Sequence, residues 1–459
     1  MSSLLPQLEE IVGPQGLITD AGSEPRYHGD WSTQPKSAPL AIVRPASTEE
    51  VAKILALCHQ VNQSVVVQGG MTGLSGGATP TGGEIALSLE RISGIEALDA
   101  QSMTMTVGAG TSLEAIQHAA EEAGFRFPLD LGARGSCNIG GNIATNAGGN
   151  QVIRYGMTRS LVLGLETVLA DGTIISSLNQ MLKNNAGYDL KHLFIGSEGT
   201  LGVVTRAVLR LFPRLGNKCT ALCAVDSFPK VVQLLHLLGK NFGGELTTFE
   251  VMWASYFDHI CTHLASARSP FDSQQHPLYA LIEIETANEA DGLSRLETCL
   301  AGALEDGTLE DVVLAQSLRE AEGFWNIRDG VGEIPNLLTD SAAFDVSVPI
   351  SVMEGFLADI DSSLADRFDS YINLVFGHIG DNNLHLLIFT SDKNDYKTIN
   401  DIVYAAVGRY RGSVSAEHGI GLIRKSYLSY SRTPEEIALM RRLKTALDPH
   451  NILNPGRIF

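Results

Sequence analysis

A chain of 459 residues, 44% hydrophobic and 19% charged, has material for two or three globular domains with large cores. Its formal net charge of −19 argues against a surface that tracks nucleic-acid phosphates. The six cysteines, at 58, 137, 219, 223, 261 and 299, form no pair of pairs for a zinc knot and read as reduced thiols in a cytoplasmic protein. The N-terminus has no basic region followed by an apolar core, and no apolar run approaches the roughly 20 residues of a membrane span.

In chain order, residues 3–12 read as a helix, followed by a loop ending in Tyr27-His-Gly-Asp-Trp31. Residues 41–45 form a short strand. Ser47 then caps a helix with Glu50 three residues on, and Val51, Ile54, Leu55 and Cys58 share one face. Residues 64–68 are a buried strand that runs into a glycine loop. Residues 86–89 and 103–107 are further strands, and 112–123 a helix. Residues 162–169 and 173–175 read as a hairpin around Asp171-Gly172, and 202–213 as a strand closing this half. A boundary falls near 214–218. Beyond it come a strand at 219–225, a helix at 229–240, a strand at 278–285 and a helix at 289–304, an α+β texture with antiparallel strands. The last 50 residues read as helical and end in Asp448-Pro-His-Asn-Ile-Leu-Asn-Pro-Gly-Arg-Ile-Phe459.

The segment 376–385, Phe-Gly-His-Ile-Gly-Asp-Asn-Asn-Leu-His, lies between two strand-like runs. Asp381-Asn382 is turn chemistry, because both residues tolerate a left-handed backbone. A two-residue turn there sets His378 directly opposite His385 on one face, with Cβ atoms roughly 5 Å apart. Two imidazoles so placed can clamp a metal ion. Downstream, Ser415-Ala-Glu-His-Gly419 offers the carboxylate of Glu417 and the imidazole of His418. His378, His385 and Glu417 suit a divalent ion: Zn, with Mn, Co and Fe as alternatives.

The 46 glycines are dense between 69 and 202. Residues 68–78, Gln-Gly-Gly-Met-Thr-Gly-Leu-Ser-Gly-Gly-Ala, follow a strand and can form an anion-binding nest of N–H groups. No clean G-x-G-x-x-G leads into a helix with an acid about 20 residues on, so this is not a nicotinamide fingerprint. Residues 128–149 mix glycines with amides and hydroxyls, a surface that can lie flat against a planar ring. Residues 184–204 form a third such region. Three loops of this kind point to a large cofactor.

Together these loops, the two histidines and Ser-Ala-Glu-His-Gly resemble the FAD-binding D-2-hydroxyacid dehydrogenases of the vanillyl-alcohol oxidase and p-cresol methylhydroxylase (PCMH) superfamily. The resemblance runs from about residue 25 to the C-terminal Asn-Pro-Gly-Arg. The nearest branches are D-2-hydroxyglutarate and D-lactate dehydrogenases. It implies an α+β fold: a two-subdomain PCMH-type FAD-binding domain over 1–215, an α+β cap with an antiparallel sheet and the metal site over 216–405, and a C-terminal helical segment, 406–459, returning to the flavin domain. By resemblance, Gly69, Gly70, Thr72, Gly73, Leu74, Ser75, Gly76 and Gly77 would bind the pyrophosphate. Pro128, Leu131, Gly132, Ser136, Gly140, Gly141, Asn142, Thr145, Gly148 and Gly149 would surround the ribityl and flavin. Glu198, Gly199, Gly202 and Val204 would hold the adenosine side, and Asn454 would lie near the flavin. No histidine lies between 68 and 80, so the FAD is expected to be non-covalent.

The chemistry implied is hydride transfer from C2 of a small 2-hydroxy acid to the flavin. His418 would take the hydroxyl proton, and Arg328 would grip the substrate carboxylate. Electrons would pass to an electron-transfer flavoprotein, a quinone or a cytochrome, and the protein could be a homodimer. The D-2-hydroxyglutarate branch carries a threonine, a lysine and an asparagine where this chain has Gly332, Ala343 and Leu387. That favours D-lactate or another D-2-hydroxy acid with an uncharged side chain, with D-2-hydroxyglutarate as the alternative. The competing classes are a non-catalytic flavin subunit of a larger complex and an alcohol oxidase tethered to its flavin. The intact His, His, Glu and His set argues against the first of these.

Overall fold

The computed structural model describes residues 4–271, 275–334 and 342–459, which divide into two compact units. The first comprises the chain up to Gly149, then Tyr155–Arg214 and Glu417–Phe459. The second comprises Asn150–Arg154 and Leu215–Ala416. The expected boundary at 405/406 would cut the helix Tyr396–Arg409, which the second unit keeps whole.

Among the described residues, the first unit holds a sheet in the order Leu17–Ile18, Ala41–Val43, Ile85–Ser88, Val65–Gln68. The last three strands run parallel. Parallel neighbours need a crossover, and the helix Thr48–Gln60 supplies one. Ser47 caps it by accepting from Glu50 N at 3.2 Å, and Val51, Ile54, Leu55 and Cys58 point into the core as the periodicity predicts. A second, antiparallel sheet has the order Ile95–Asp99, Thr104–Gly108, Val203–Arg210, Val162–Val168, Ile174–Ser177. Its Asp171-Gly172 hairpin forms as read, with Gly172 at φ +87°. One hydrophobic cluster joins both sheets, the first helix and Leu453.

The C-terminal part departs from the sequence expectation. Only Lys425–Tyr430 and Pro434–Leu447 are helical between residue 410 and the end. Residues 448–459 run as an ordered tail. The buried Asp448 carboxylate accepts from Ile452 N and Leu453 N at 3.0 and 2.8 Å, and the buried Lys444 ammonium donates to Leu453 O at 2.7 Å. Leu453 then bridges in parallel to Val65.

The second unit is built on an antiparallel sheet in the order Asp311–Leu314, Asn217–Val225, Leu278–Thr286, Leu246–Trp253, Ile372–His378, Asn383–Phe389, Ala342–Ser347. The four elements read from 219 to 304 are present, as Asn217–Val225, Phe228–Phe242, Leu278–Thr286 and Glu289–Glu305. The strand Leu246–Trp253 and the helix Ala254–His263 were not anticipated. On one sheet face Leu222, Leu281, Met252 and Phe376 pack against Tyr256, Phe257, Phe324 and Ile327 from the helices Ala254–His263 and Leu318–Arg328.

Candidate active site

The histidine hairpin forms, but its register differs from the expected one. Phe376, not His378, is the partner of His385. The connection is a 3-10 turn, Ile379–Asp381, closed by Asn382 in the left-handed conformation at φ 72°, and so is longer than two residues. A slip of one residue would have sent the two imidazoles to opposite faces; a slip of two keeps them on one face. His378 and His385 therefore meet diagonally, with ring centroids 5.3 Å apart and planes at 80°. Phe376 lies under His385 at 4.8 Å between centroids.

Glu250 was missed by the sequence reading. It stands in the strand Leu246–Trp253, buried from Leu246 to Met252, directly across from His378. Its Oε1 accepts from His378 Nδ1 at 2.5 Å and its Oε2 from Arg328 Nε at 2.9 Å. Burial opposes ionisation here, but the neighbouring His378 and Arg328 outweigh it and hold the Glu250 carboxyl at about 2. Burial would likewise lower the pKa of Arg328, yet the Glu250 charge raises it. With Nδ1 committed to a carboxylate, the lone pair of His378 is on Nε2, the tautomer a metal ligand needs. That Nε2 now accepts from Arg328 Nη2 at 3.1 Å. The signal for Glu250 was a single acid inside an apolar, β-branched run.

Asp345, on the edge strand, is the cross-strand partner of His385. Its backbone carbonyl accepts from Ala416 N at 3.2 Å, and its Oδ2 from Ser415 Oγ at 3.3 Å. Residues 413–416 are thus tied to the strand that carries Asp345. Glu417 and His418, both half-buried, come next in the chain. Of the expected donors, His378 and His385 belong to the second unit, while Glu417 is the first residue of the stretch that belongs to the first. Ala343, exposed, and Leu387, half-buried, face each other across the same strand pair. Gly332 lies in the 3-10 turn Asp329–Glu333 that follows Arg328.

In the first unit the glycine loops meet each other. A Cβ at Gly70 would lie 2.1 Å from Ser136 O, so only glycine lets the first loop approach the second this closely. Gly69 neighbours Asn138 and Gly141, while Gly73 lies against Asp30 and Gly76 against Gln34. Leu74 is exposed at 40%, and Thr72 is half-buried. Pro128, Gly140, Gly148 and Gly149 are buried, Leu131 and Thr145 half-buried, Ser136 and Gly132 exposed. Gly148 abuts the Glu417 carboxylate, and Gly149 abuts Asp130 O. Space is open beside Gly132 and Gly141. Among the described residues, the buried Asn142 Oδ1 has no hydrogen-bond partner, as expected of a group reserved for a ligand. Gly202 packs on the Phe194 ring, and Val204 is buried in its strand. These features fit a flavin.

Two expected cofactor contacts are otherwise engaged. Asn454 donates through Nδ2 to Glu198 O at 2.6 Å and accepts through Oδ1 from Val67 N at 2.8 Å. The Glu198 carboxylate accepts from Ile420 N and Gly421 N, each at 2.7 Å.

Fold and site together define a flavin-binding oxidoreductase. Residues 39–177 match the FAD binding domain family, and residues 215–458 match the C-terminal domain of FAD linked oxidases. A D-2-hydroxyglutarate dehydrogenase of Xanthomonas citri pv. viticola is 41% identical over 98% of this chain and 96% of its own length. The mitochondrial D-2-hydroxyglutarate dehydrogenase of Arabidopsis thaliana is 37% identical over 98% of this chain and 80% of its own. The crystal structure of p-cresol methylhydroxylase has the same fold, with a TM-score of 0.80 at 14% identity over 100% of this chain and 96% of that one. The chain belongs to the FAD-dependent D-2-hydroxyacid dehydrogenases. Among the described residues no helix is long and apolar enough to cross a membrane.

Proposed function

We propose that this enzyme oxidises a D-2-hydroxy acid with an uncharged side chain, such as D-lactate, to the 2-oxo acid, using a divalent ion held by His378, His385 and Glu417. When bound, FAD would supply the acceptor for the C2 hydride, and an ion would supply Lewis acidity at the C2 hydroxyl. His418 receives the hydroxyl proton on an imidazole nitrogen, so the C2–H pair leaves toward the flavin as the C2=O bond forms. Arg328 holds the C1 carboxylate, and Glu250 fixes its guanidinium and the His378 tautomer together. Arg328 Nη2 donates to the His378 Nε2 lone pair, so if His378 held an ion through that nitrogen, the Arg328 N–H would be free for the substrate. The FAD is held non-covalently, and its electrons leave to an electron-transfer flavoprotein, quinone or cytochrome.

The observation that carries the substrate class is the Ala343–Leu387 cross-strand pair with Gly332 nearby in sequence after Arg328. These positions offer no cation to pair with a second carboxylate. D-2-Hydroxyglutarate is the second reading, favoured by the names of the relatives at 35–41% identity. Steady-state kcat/KM for D-lactate, D-2-hydroxybutyrate and D-2-hydroxyglutarate with a dye acceptor is the test. A clear preference for the dicarboxylate would replace the first reading by the second.

A further inference from the structure

Glu198 lies in the third glycine loop, with a backbone φ of +51° that a non-glycine residue adopts only where its surroundings impose it. Those surroundings are visible. Its N–H donates to Ala144 O at 2.8 Å, in the helix Ile139–Thr145 of the second glycine loop. Its carbonyl accepts from Asn454, which in turn holds Val67, just before the first loop. Its side chain reaches none of these. The carboxylate, buried among protein groups, accepts from Ile420 N on Oε1 and from Gly421 N on Oε2, each at 2.7 Å.

The turn it grips is built for that contact. Gly419, at φ +81°, would carry a Cβ only 2.8 Å from Glu198 Oε1, so the turn closes on the carboxylate only because residue 419 is glycine. On the far side Leu422 N and Ile423 N donate to Ser75 O of the first loop at 3.0 and 3.2 Å. Burial raises the pKa of Glu198, and the two N–H donors offset part of that cost. A buried acid is an expensive way to fasten a turn unless the position of the turn matters.

Two residues upstream of Ile420 is His418, and three upstream is Glu417. We infer that Glu198 is a positioning residue: it binds no part of the cofactor through its carboxylate, but fixes the Gly419–Gly421 turn and thereby the Glu417-His418 pair against the flavin loops. The inference rests on the reading of Glu417 as a metal ligand and His418 as the base.

The test is Glu198→Gln in the full-length holoenzyme. The amide keeps one acceptor and turns a donor toward the other N–H. Flavin content and reduction of bound flavin by dithionite stay at wild-type level. Flavin reduction by a D-2-hydroxy acid slows about 100-fold, in kcat more than in KM, as a misplacement of about 1 Å would do, and bound metal falls. Gly419→Ala disturbs the same contact with Glu198 intact and gives the same signature, which covers a Glu198 variant that fails to fold. Wild-type metal content and rate in both variants would overturn the inference. So would loss of flavin with the flavin-loaded remainder reacting at the normal rate. Glu417→Ala and His418→Ala serve as controls: if both keep metal and rate, the site reading itself has failed.

Discussion

Glu250 and His378 stand opposite one another on neighbouring strands and share a hydrogen bond of 2.5 Å between Oε1 and Nδ1. The same carboxylate holds Arg328 through its other oxygen. One buried acid thus orients both the imidazole and the guanidinium, so removing it disturbs two groups at once.

Glu250→Ala leaves the Arg328 cation buried without its counter-charge, which costs about 3–5 kcal/mol. The melting temperature of the protein should fall accordingly. Glu250→Gln keeps the volume and one acceptor and should cost less. Both should weaken metal binding by about 10–100-fold, because the His378 tautomer is no longer fixed. Thermal melts and elemental analysis check this; an unchanged melt for the alanine variant would show that the pair contributes nothing to stability.

His378→Ala, His385→Ala and Glu417→Ala should each lose the divalent ion and most activity while remaining yellow: His378 and His385 belong to the unit without the flavin loops, and Glu417 is not among the residues expected to hold the flavin. Metal-to-protein ratios decide it. Full metal content in all three variants would return the histidines to a structural role.

The flavin should leave on denaturation. A denaturing gel viewed for flavin fluorescence should show no band at the position of the chain, with free FAD recovered in the supernatant. A fluorescent protein band would mean a covalent link. Gly70→Val should give folded protein with little flavin, because its Cβ would lie 2.1 Å from Ser136 O and force the first two loops apart.

Ala343→Lys should raise kcat/KM for D-2-hydroxyglutarate relative to D-lactate, by placing a cation across from Leu387. An effect of about 1.5–3 kcal/mol is expected of a hydrogen bond to a charged group, or roughly tenfold to 150-fold in the ratio. Arg328→Lys should lower kcat/KM for both substrates to a similar extent, because it acts on the carboxylate they share. A ratio unmoved by Ala343→Lys would place the distal pocket elsewhere.

The sequence by itself determined the glycine loops, the caps of the helices and the Asp171-Gly172 hairpin, and it singled out His378, His385 and Glu417 as candidate ligands. Each is written locally, in residues whose backbone or ligand chemistry does not depend on distant partners. That locality is also why the family was legible. Tertiary structure decided the rest. The hairpin register hangs on how Ile379–Asp381 turn, and two turn lengths that differ by two residues present the same face to a reader of alternation. Glu250 meets His378 across 128 residues, and Glu198 meets Ile420 across 222, through backbone pairing and tail docking that no periodicity encodes. A buried carboxylate takes its role from the donors that burial brings to it, and those are fixed only when the chain has folded.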